Sequence, residues 1–365
     1  MAEPVWALGL MSGTSMDGVD AALLETDGET IARFGPAGAF GYGGGSMAAA
    51  RAALSDWEGV RGTPAAEVAA REVEAAHVAA VEGLLAMTEL RPDLVGFHGQ
   101  TVAHVPEEGF TWQIGDGARL ATGLRTPVAW DFRSADMAAG GEGAPLAPVF
   151  HWALARWIGA EAPVAFLNIG GVANVTWVDP REGPEACVAF DTGPGNALLN
   201  DWMAARTGAE MDRGGAAAAA GRADDALLRL NSVAAYLARP APKSLDRNAF
   251  AAALAQLEDV SVADGAASLT RLTVETVAAA LPHLPAPPAR WLVCGGGRRN
   301  ATMMGWLADR LGDVAPVEAV GLDGDALEAQ AFAFLAVRVR AGLPTSFPGT
   351  TGCAAPVSGG RLSYP

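Results

Sequence analysis

Lysine is nearly absent: Lys243 is the one lysine among 25 basic residues in a chain of 365. That scarcity removes two phosphate-binding designs. A Walker A loop needs Gly-Lys-Ser/Thr and a protein kinase needs a strand lysine. Lys243 stands in Pro240–Ser244 (PAPKS), which fits neither. Cysteine is also scarce. Cys187, Cys294 and Cys353 are odd in number, far apart and without zinc spacing. They read as buried small side chains in a reducing compartment, the cytoplasm. Positive charge is in deficit, and a net charge of −16 argues against a nucleic-acid partner. No uninterrupted apolar stretch reaches ~18 residues, so no membrane span is expected. Met1 to Trp6 has no basic region ahead of an apolar run, so no secretory leader is expected.

Half of the residues are hydrophobic and 18% are charged, which fits a globular chain of one large or two medium domains. Strand-like runs at Val5–Leu10 and Val19–Glu25 flank a polar turn, Ser12–Gly18. Gly35–Ser46 reads as a glycine-rich loop. Val73, Ala76, Ala80 and Leu84 recur at helical spacing within Ala65–Met87, where His77 reads as an ordinary helix residue. Further strands are expected at Leu94–His98, Val128–Trp130, Val164–Ile169, Val172–Val178, Cys187–Phe190 and Trp291–Cys294. Helices are expected at Asn248–Leu257, Ser268–Leu281, Ala301–Leu311 and Asp325–Ala341. Mixed elements in this order indicate an α/β protein.

The segment Gly9–Asp20 (GLMSGTSMDGVD) is a strand, a tight polar turn and a second strand, and Leu167–Trp177 (LNIGGVANVTW) repeats that design. Glycine turns bind anions through backbone N–H groups that no side chain blocks. Gly13, Thr14, Ser15, Met16, Asp17, Gly18, Val19 and Asp20 combine such a turn with hydroxyls and carboxylates suited to phosphate and Mg2+. A plain Asp-Gly hairpin accounts for the same residues. Trp291–Gly297 (WLVCGGG) ends a strand in Gly295, Gly296 and Gly297, with Asn300 and a helix beyond. Three glycines let backbone approach a flat base, and a helix-entry loop uses them equally well. Two hairpins with Gly170, Gly171 and Asn174 in the second, plus the glycine loop, form an actin-like ATP-binding set.

The ordered motifs resemble the anhydro-N-acetylmuramic acid kinase family over nearly the whole chain. They are Gly9–Asp20, His98–Thr101 (HGQT), Asp131–Arg133 (DFR) with Asp136 and Ala138–Gly141, and Gly143–Leu146. They continue with Asn168–Asn174, Phe190–Asn196 (FDTGPGN), Pro242–Ser244, Gly295–Gly297, Glu328-Ala329 and Thr351-Gly352. The resemblance implies a two-lobed actin-like ATPase (ribonuclease H-like) fold with an interlobe ATP and sugar cleft. Residues 1–134 with about 340–365 would form one lobe and 135–339 the other. It implies ATP-dependent hydrolytic opening of the 1,6-anhydro ring with phosphorylation of O6, giving N-acetylmuramic acid 6-phosphate and ADP in cell-wall sugar recycling. A homodimer is implied as well.

By the same resemblance Asp191 is the catalytic base, and a role in capping the following helix is the competing account. Mg2+ would come with ATP near Asp17 or Asp191, with no dedicated protein site. His98, Gln100, Asp131, Arg133 and Glu328 are the sugar-binding candidates. For these, a core histidine, a salt-bridged loop and helix N-terminal charge are the alternatives. Lys243 would reach a phosphate or lie exposed on a loop. Three features depart from the family pattern: Glu142 for Gln, Leu245-Asp246 after Pro-Lys-Ser, and Arg298-Arg299 beside the glycine loop. Another sugar kinase of the superfamily, or a non-metabolic actin-like ATPase, remains the alternative function.

Overall fold

The computed structural model describes residues 3–13, 16–42, 47–245 and 249–365. The first sheet draws on β1 (Val5–Ser12), β2 (Val19–Thr26), β3 (Ile31–Phe40), β4 (Leu94–Val105), β5 (Phe110–Ile114) and β6 (Val128–Trp130). The second is β7 (Val164–Ile169), β8 (Val172–Val178), β9 (Val188–Pro194), β10 (Arg290–Cys294) and β11 (Val314–Pro316), while β12 (Arg361–Ser363) returns to the first.

One design is used twice. β1, β2 and β3 form an antiparallel meander, and β4 and β6 continue in parallel on the other side of β1. β7, β8 and β9 form the same meander, and β10 and β11 continue in parallel beyond β7. The orders β6-β4-β1-β2-β3 and β11-β10-β7-β8-β9 therefore match strand for strand. This is the duplicated ribonuclease H-like α/β fold of actin-like ATPases.

The chain divides into Met1–Trp157 with Ala326–Pro365, and Ile158–Asp325. The expected boundaries after 134 and near 340 are thus displaced, and 135–157 and 326–339 belong with the first sheet. The cause is the Leu327–Ala341 helix, which lies on β1, β2 and β4 and is itself touched by the Pro148–Trp157 helix. Its close approach depends on glycine. A Cβ at Gly9 would lie 1.8 Å from the Ala329 carbonyl oxygen, and one at Gly96 would lie 2.1 Å from that of Phe332. The opposite face of the first sheet packs Leu8, Leu10 and Val95 against Ala69, Val73, Val81 and Leu84 of the Pro64–Leu85 helix. Both faces being covered, β1 is buried continuously rather than alternately.

In the second unit, Leu167, Ile169, Val175 and Val293 meet Val274 and Val277 of the Val262–Ala278 helix and Met303 and Leu307 of the Ala301–Leu311 helix. A separate cluster packs Leu198 and Trp202 against Tyr236, Phe250 and Leu272. All three cysteines are buried thiols outside any disulfide, and burial pushes Cys187 up to about 12.

Several expected elements change. The loop over 35–46 fails at its start, because Ile31–Phe40 pairs with β2 through Leu24↔Phe34 and Ala22↔Ala37. Gly35 marks close packing instead, since a Cβ there would strike Leu23 at 2.7 Å and Trp6 at 2.8 Å. Residues 43–46 lie outside the described residues. β4 runs on to Val105, seven residues past His98, held by its antiparallel partner β5. β9 extends through Pro194, so Asp191 lies within a strand rather than after it. The helix expected at Ser268–Leu281 spans Val262–Ala278, its N-terminus fixed by Ser261, whose side chain accepts from Asp264 N. That expected at Asn248–Leu257 is a single turn, Ala252–Ala255, with Asn248 outside the described residues.

Candidate active site

In the first unit the β1–β2 turn is pinned by side chains from elsewhere in the chain. Met16 N donates to Gly13 O at 3.1 Å, and buried Met16 adopts φ 50°, the left-handed region costly for a side-chain-bearing residue. Arg51 Nη2 donates to Met16 O at 2.9 Å. Gln100 is fully buried: its Oε1 accepts from Ser12 Oγ at 2.9 Å, and its Nε2 donates to Gly13 O and Thr101 O at 3.2 Å each. Gln100 therefore fastens the turn. Asp17 is exposed, Asp20 is the second residue of β2 and half-buried, and Gly18 lies against Phe40 O, 2.7 Å from where its Cβ would stand. Thr14 and Ser15 lie outside the described residues.

Two of the sugar candidates of this unit, His98 and Arg133, are joined directly. His98 is buried, and its Nδ1 meets Gly99 O at 2.9 Å while its Nε2 accepts from Arg133 Nε and Nη2 at 3.1 and 3.0 Å. This assigns the neutral ring with the proton on Nδ1. Burial, and then the Arg133 charge, hold His98 well below the usual histidine value. Burial lowers Arg133 to about 10 against the opposing pull of Glu328 and Asp136. Arg133 Nη1 also donates to Gly143 O at 2.7 Å.

Asp131 has φ 54° and pairs with Arg361 at 2.9 Å, so the salt-bridged loop is realised there. Asp136 is a buried acceptor for Gly143 N (2.7 Å), Thr351 Oγ1 (2.6 Å) and Ser346 Oγ. Glu328 is exposed in the first turn of its helix. Together with Trp112, Gln113, Trp130 and Ser134, His98 and Asp131 line a pocket of about 180 Å³.

In the second unit one polar row crosses three strands. Asn168 pairs with Asn174, and Asn174 pairs with Asp191, so the three side chains share one sheet face. Ala173 opposes Gly193, which leaves Thr192 as a bulge beside Asp191. Such bulges re-aim neighbouring side chains. Asp191 is gripped from several directions. Its N–H donates to Lys243 O at 2.9 Å, its carbonyl accepts from Tyr236 Oη at 2.6 Å, and its Oδ2 accepts from Leu245 N at 2.8 Å. The helix-cap account of Asp191 does not hold, because the Ala197–Thr207 helix starts at Asn196, without a side-chain cap.

Gly170 and Gly171 accept from the entry to that helix: Asn196 N to Gly170 O at 2.7 Å, and Gly195 N to Gly171 O at 3.0 Å. The glycine loop lies against the same hairpin. A Cβ on Gly295 (φ 69°) would meet Asn168 Oδ1 at 2.2 Å, and one on Gly297 would meet Ile169 Cγ2 at 2.4 Å. Gly296 faces Asn196 Nδ2. Asn300 is occupied in capping the Ala301–Leu311 helix, its Oδ1 accepting from Met303 N at 2.9 Å.

The alternative of an exposed Lys243 fails, since its side chain is buried. Arg298 and Arg299, beside the glycine loop, are paired with Glu318 and Asp325. Among the described residues, no group of three or more His, Cys, Asp or Glu is placed to hold a metal, and no helix is long and apolar enough to cross a membrane.

Sequence reasoning passed over Ser12, Arg51, Tyr236 and the Asn168 side chain. Asn168 carried a usable signal, its place in the repeated hairpin. Arg51 lies in an alanine-rich stretch, and Tyr236 is 45 residues from Asp191; neither distance nor composition marks them.

Comparison with known proteins supplies the family. The model described as anhydro-N-acetylmuramic acid kinase matches residues 5–365. Anhydro-N-acetylmuramic acid kinase 1 of Jannaschia sp. (strain CCS1) is 55% identical, over 99% of this chain and 96% of that protein. The Cereibacter sphaeroides and Rhodospirillum rubrum proteins of the same name are 54% and 53% identical, covering 99% and 98% of this chain and 96% and 93% of theirs. The chain belongs to the anhydro-N-acetylmuramic acid kinase family and is a sugar kinase, an enzyme that transfers a phosphoryl group from ATP.

Proposed function

We propose that this enzyme takes anhydro-N-acetylmuramic acid, ATP and water and releases N-acetylmuramic acid 6-phosphate and ADP. The observation that carries this reading is Asp191, aligned with Asn174 and Asn168 on one sheet face and held at both main chain and carboxylate. A fixed carboxylate suits a general base. Water attacks C1 of the sugar and gives its proton to Asp191, while the C1–O6 bond breaks. O6 then attacks the γ-phosphorus in line, and the bond to the β-phosphate oxygen breaks to leave ADP.

In the first unit, Gly13–Asp20 offers a phosphate-binding turn, with Gln100 and Arg51 acting as supports. In the second, Gly170, Gly171 and Asn174 take phosphate, Gly295–Gly297 admit the adenosine, and Asn300 fixes the helix behind them. His98, Arg133, Asp131 and Glu328 are the sugar-facing group. Neutral His98 and cationic Arg133 suit a carboxylate-bearing sugar. Asp17 or Asp191 would lie near a Mg2+ ion brought with ATP, which would neutralise phosphate charge. Cytoplasmic location, homodimer formation and a role in cell-wall recycling belong to the same reading and rest on family likeness.

The test is incubation with ATP and either anhydro-N-acetylmuramic acid or N-acetylmuramic acid. Phosphorylation of the anhydro-sugar is expected. Phosphorylation of N-acetylmuramic acid alone would replace this reading with a kinase acting on a free hydroxyl.

A further inference from the structure

Lys243, the one lysine of the chain, is 4% exposed. An ammonium group has three N–H donors. Here they face three main-chain carbonyls, Tyr236 O at 3.2 Å, Leu237 O at 3.4 Å and Arg239 O at 3.1 Å. These close the C-terminal end of the Asn231–Leu237 helix, where a cation is favoured. The same ammonium lies 4.8 Å from the Tyr236 ring centre and 5.8 Å from that of Phe190. With its donors committed in this way, the side chain is not a phosphate ligand.

Its contacts lead instead to Asp191. Phe190 is the preceding residue in β9. Tyr236, beneath the ammonium, donates its hydroxyl to Asp191 O, and the Lys243 carbonyl accepts Asp191 N. Two residues on, Leu245 N donates to the Asp191 carboxylate. The segment from Tyr236 to Leu245 thus holds Asp191 at three atoms, and the ammonium ties the two ends of that segment together.

We propose that Lys243 is a positioning residue for Asp191, fastening the Tyr236–Leu245 clamp that aims its carboxylate. The inference rests on the reading of Asp191 as the base. Burial, followed by the Arg239 charge, lowers Lys243 from its ordinary value, so the cation is retained against a desolvation cost. A clamp of this kind explains why that cost is tolerated. Small displacements of a reacting group lower turnover steeply, by about 100-fold for 1 Å.

The experiment compares Lys243→Met, Tyr236→Phe and Asp191→Asn in the full-length enzyme, with anhydro-N-acetylmuramic acid and ATP. Lys243→Met keeps the length of the side chain and removes its donors. Tyr236→Phe removes only the hydroxyl that holds Asp191 O. For both, kcat is expected to fall about 10- to 100-fold, with KM for ATP changed by less than about threefold. The acid limb of kcat is expected to move to higher pH, because the Leu245 N–H that favours the ionised carboxylate is displaced. A merely structural lysine would lower the melting temperature and leave kcat and the pH profile of the folded enzyme unchanged, which would overturn the proposal. If Lys243→Met does not fold, Tyr236→Phe decides by the same criteria. Asp191→Asn separates the two claims: activity retained there removes the base assignment, whereas an inactive Asp191→Asn beside fully active clamp variants removes only the clamp.

Discussion

Arg133 donates twice to Nε2 of His98, through Nε at 3.1 Å and Nη2 at 3.0 Å, so the pair exists only while His98 is neutral. His98 is one of four depressed histidines in the first unit. Burial, the first cause in each case, also takes His77 to about 4, His104 to about 4 and His151 to about 3. Between about pH 6.5 and 4 the unfolded chain binds these protons and the folded chain does not. Stability from this source is therefore present above about 6.5 and is lost as pH falls. A fully buried imidazole such as His77 costs ~2 kcal/mol at pH 5. Urea denaturation at pH 7.5 and pH 5.0 is expected to show a loss of several times RT, and equal stability at both would contradict these protonation states.

Gly9 is a packing requirement. Its absent Cβ leaves room for the Ala329 carbonyl, which would otherwise be 1.8 Å away, and both partners are backbone. Gly9→Ala is expected to destabilise the first unit by ~3 kcal/mol, the upper part of the range for overpacked cores. Equilibrium unfolding checks this, with unchanged stability as the contrary result.

Gly295 joins a left-handed φ of 69° to contact with Asn168 and Ile169. Gly295→Ala is expected to weaken ATP binding about tenfold through backbone strain of about 1–3 kcal/mol. Gly312→Ala is the control: φ is 90° there, at the other end of the Ala301–Leu311 helix, with nothing within 4 Å of an added Cβ. Calorimetric titration giving equal affinities for both variants would remove Gly295 from the nucleotide site.

Arg51 supports the left-handed Met16 by one hydrogen bond to its carbonyl. Arg51→Ala is expected to raise KM for ATP about fivefold, the worth of a bond of ~1 kcal/mol, with kcat little changed. An unaltered KM would show that the turn holds itself.

The repeated architecture was legible because hydrophobic runs and glycine turns are local signals. Val5–Leu10 and Val164–Ile169 read directly as the opening strands of two similar meanders. The boundaries were not legible, because the Leu327–Ala341 helix joins the first sheet through glycines more than 200 residues away in sequence. Asp191 could be singled out by its motif, but not its grip: the Tyr236 hydroxyl and Leu245 N–H reach it from a separate loop. Gln100, within the His98–Thr101 motif, and Asn300, just past the glycine loop, stood out as polar candidates. Their side chains proved to be spent on Ser12, Gly13 and Met303, contacts that no spacing rule reveals.

The assignment of Asp191 as base is tested most directly by Asp191→Asn, which keeps size and removes the charge. ADP release dependent on anhydro-N-acetylmuramic acid should fall about 1,000-fold, within the range for loss of a general base, while ATP affinity stays near that of the unaltered enzyme. Turnover close to the original rate would contradict the account.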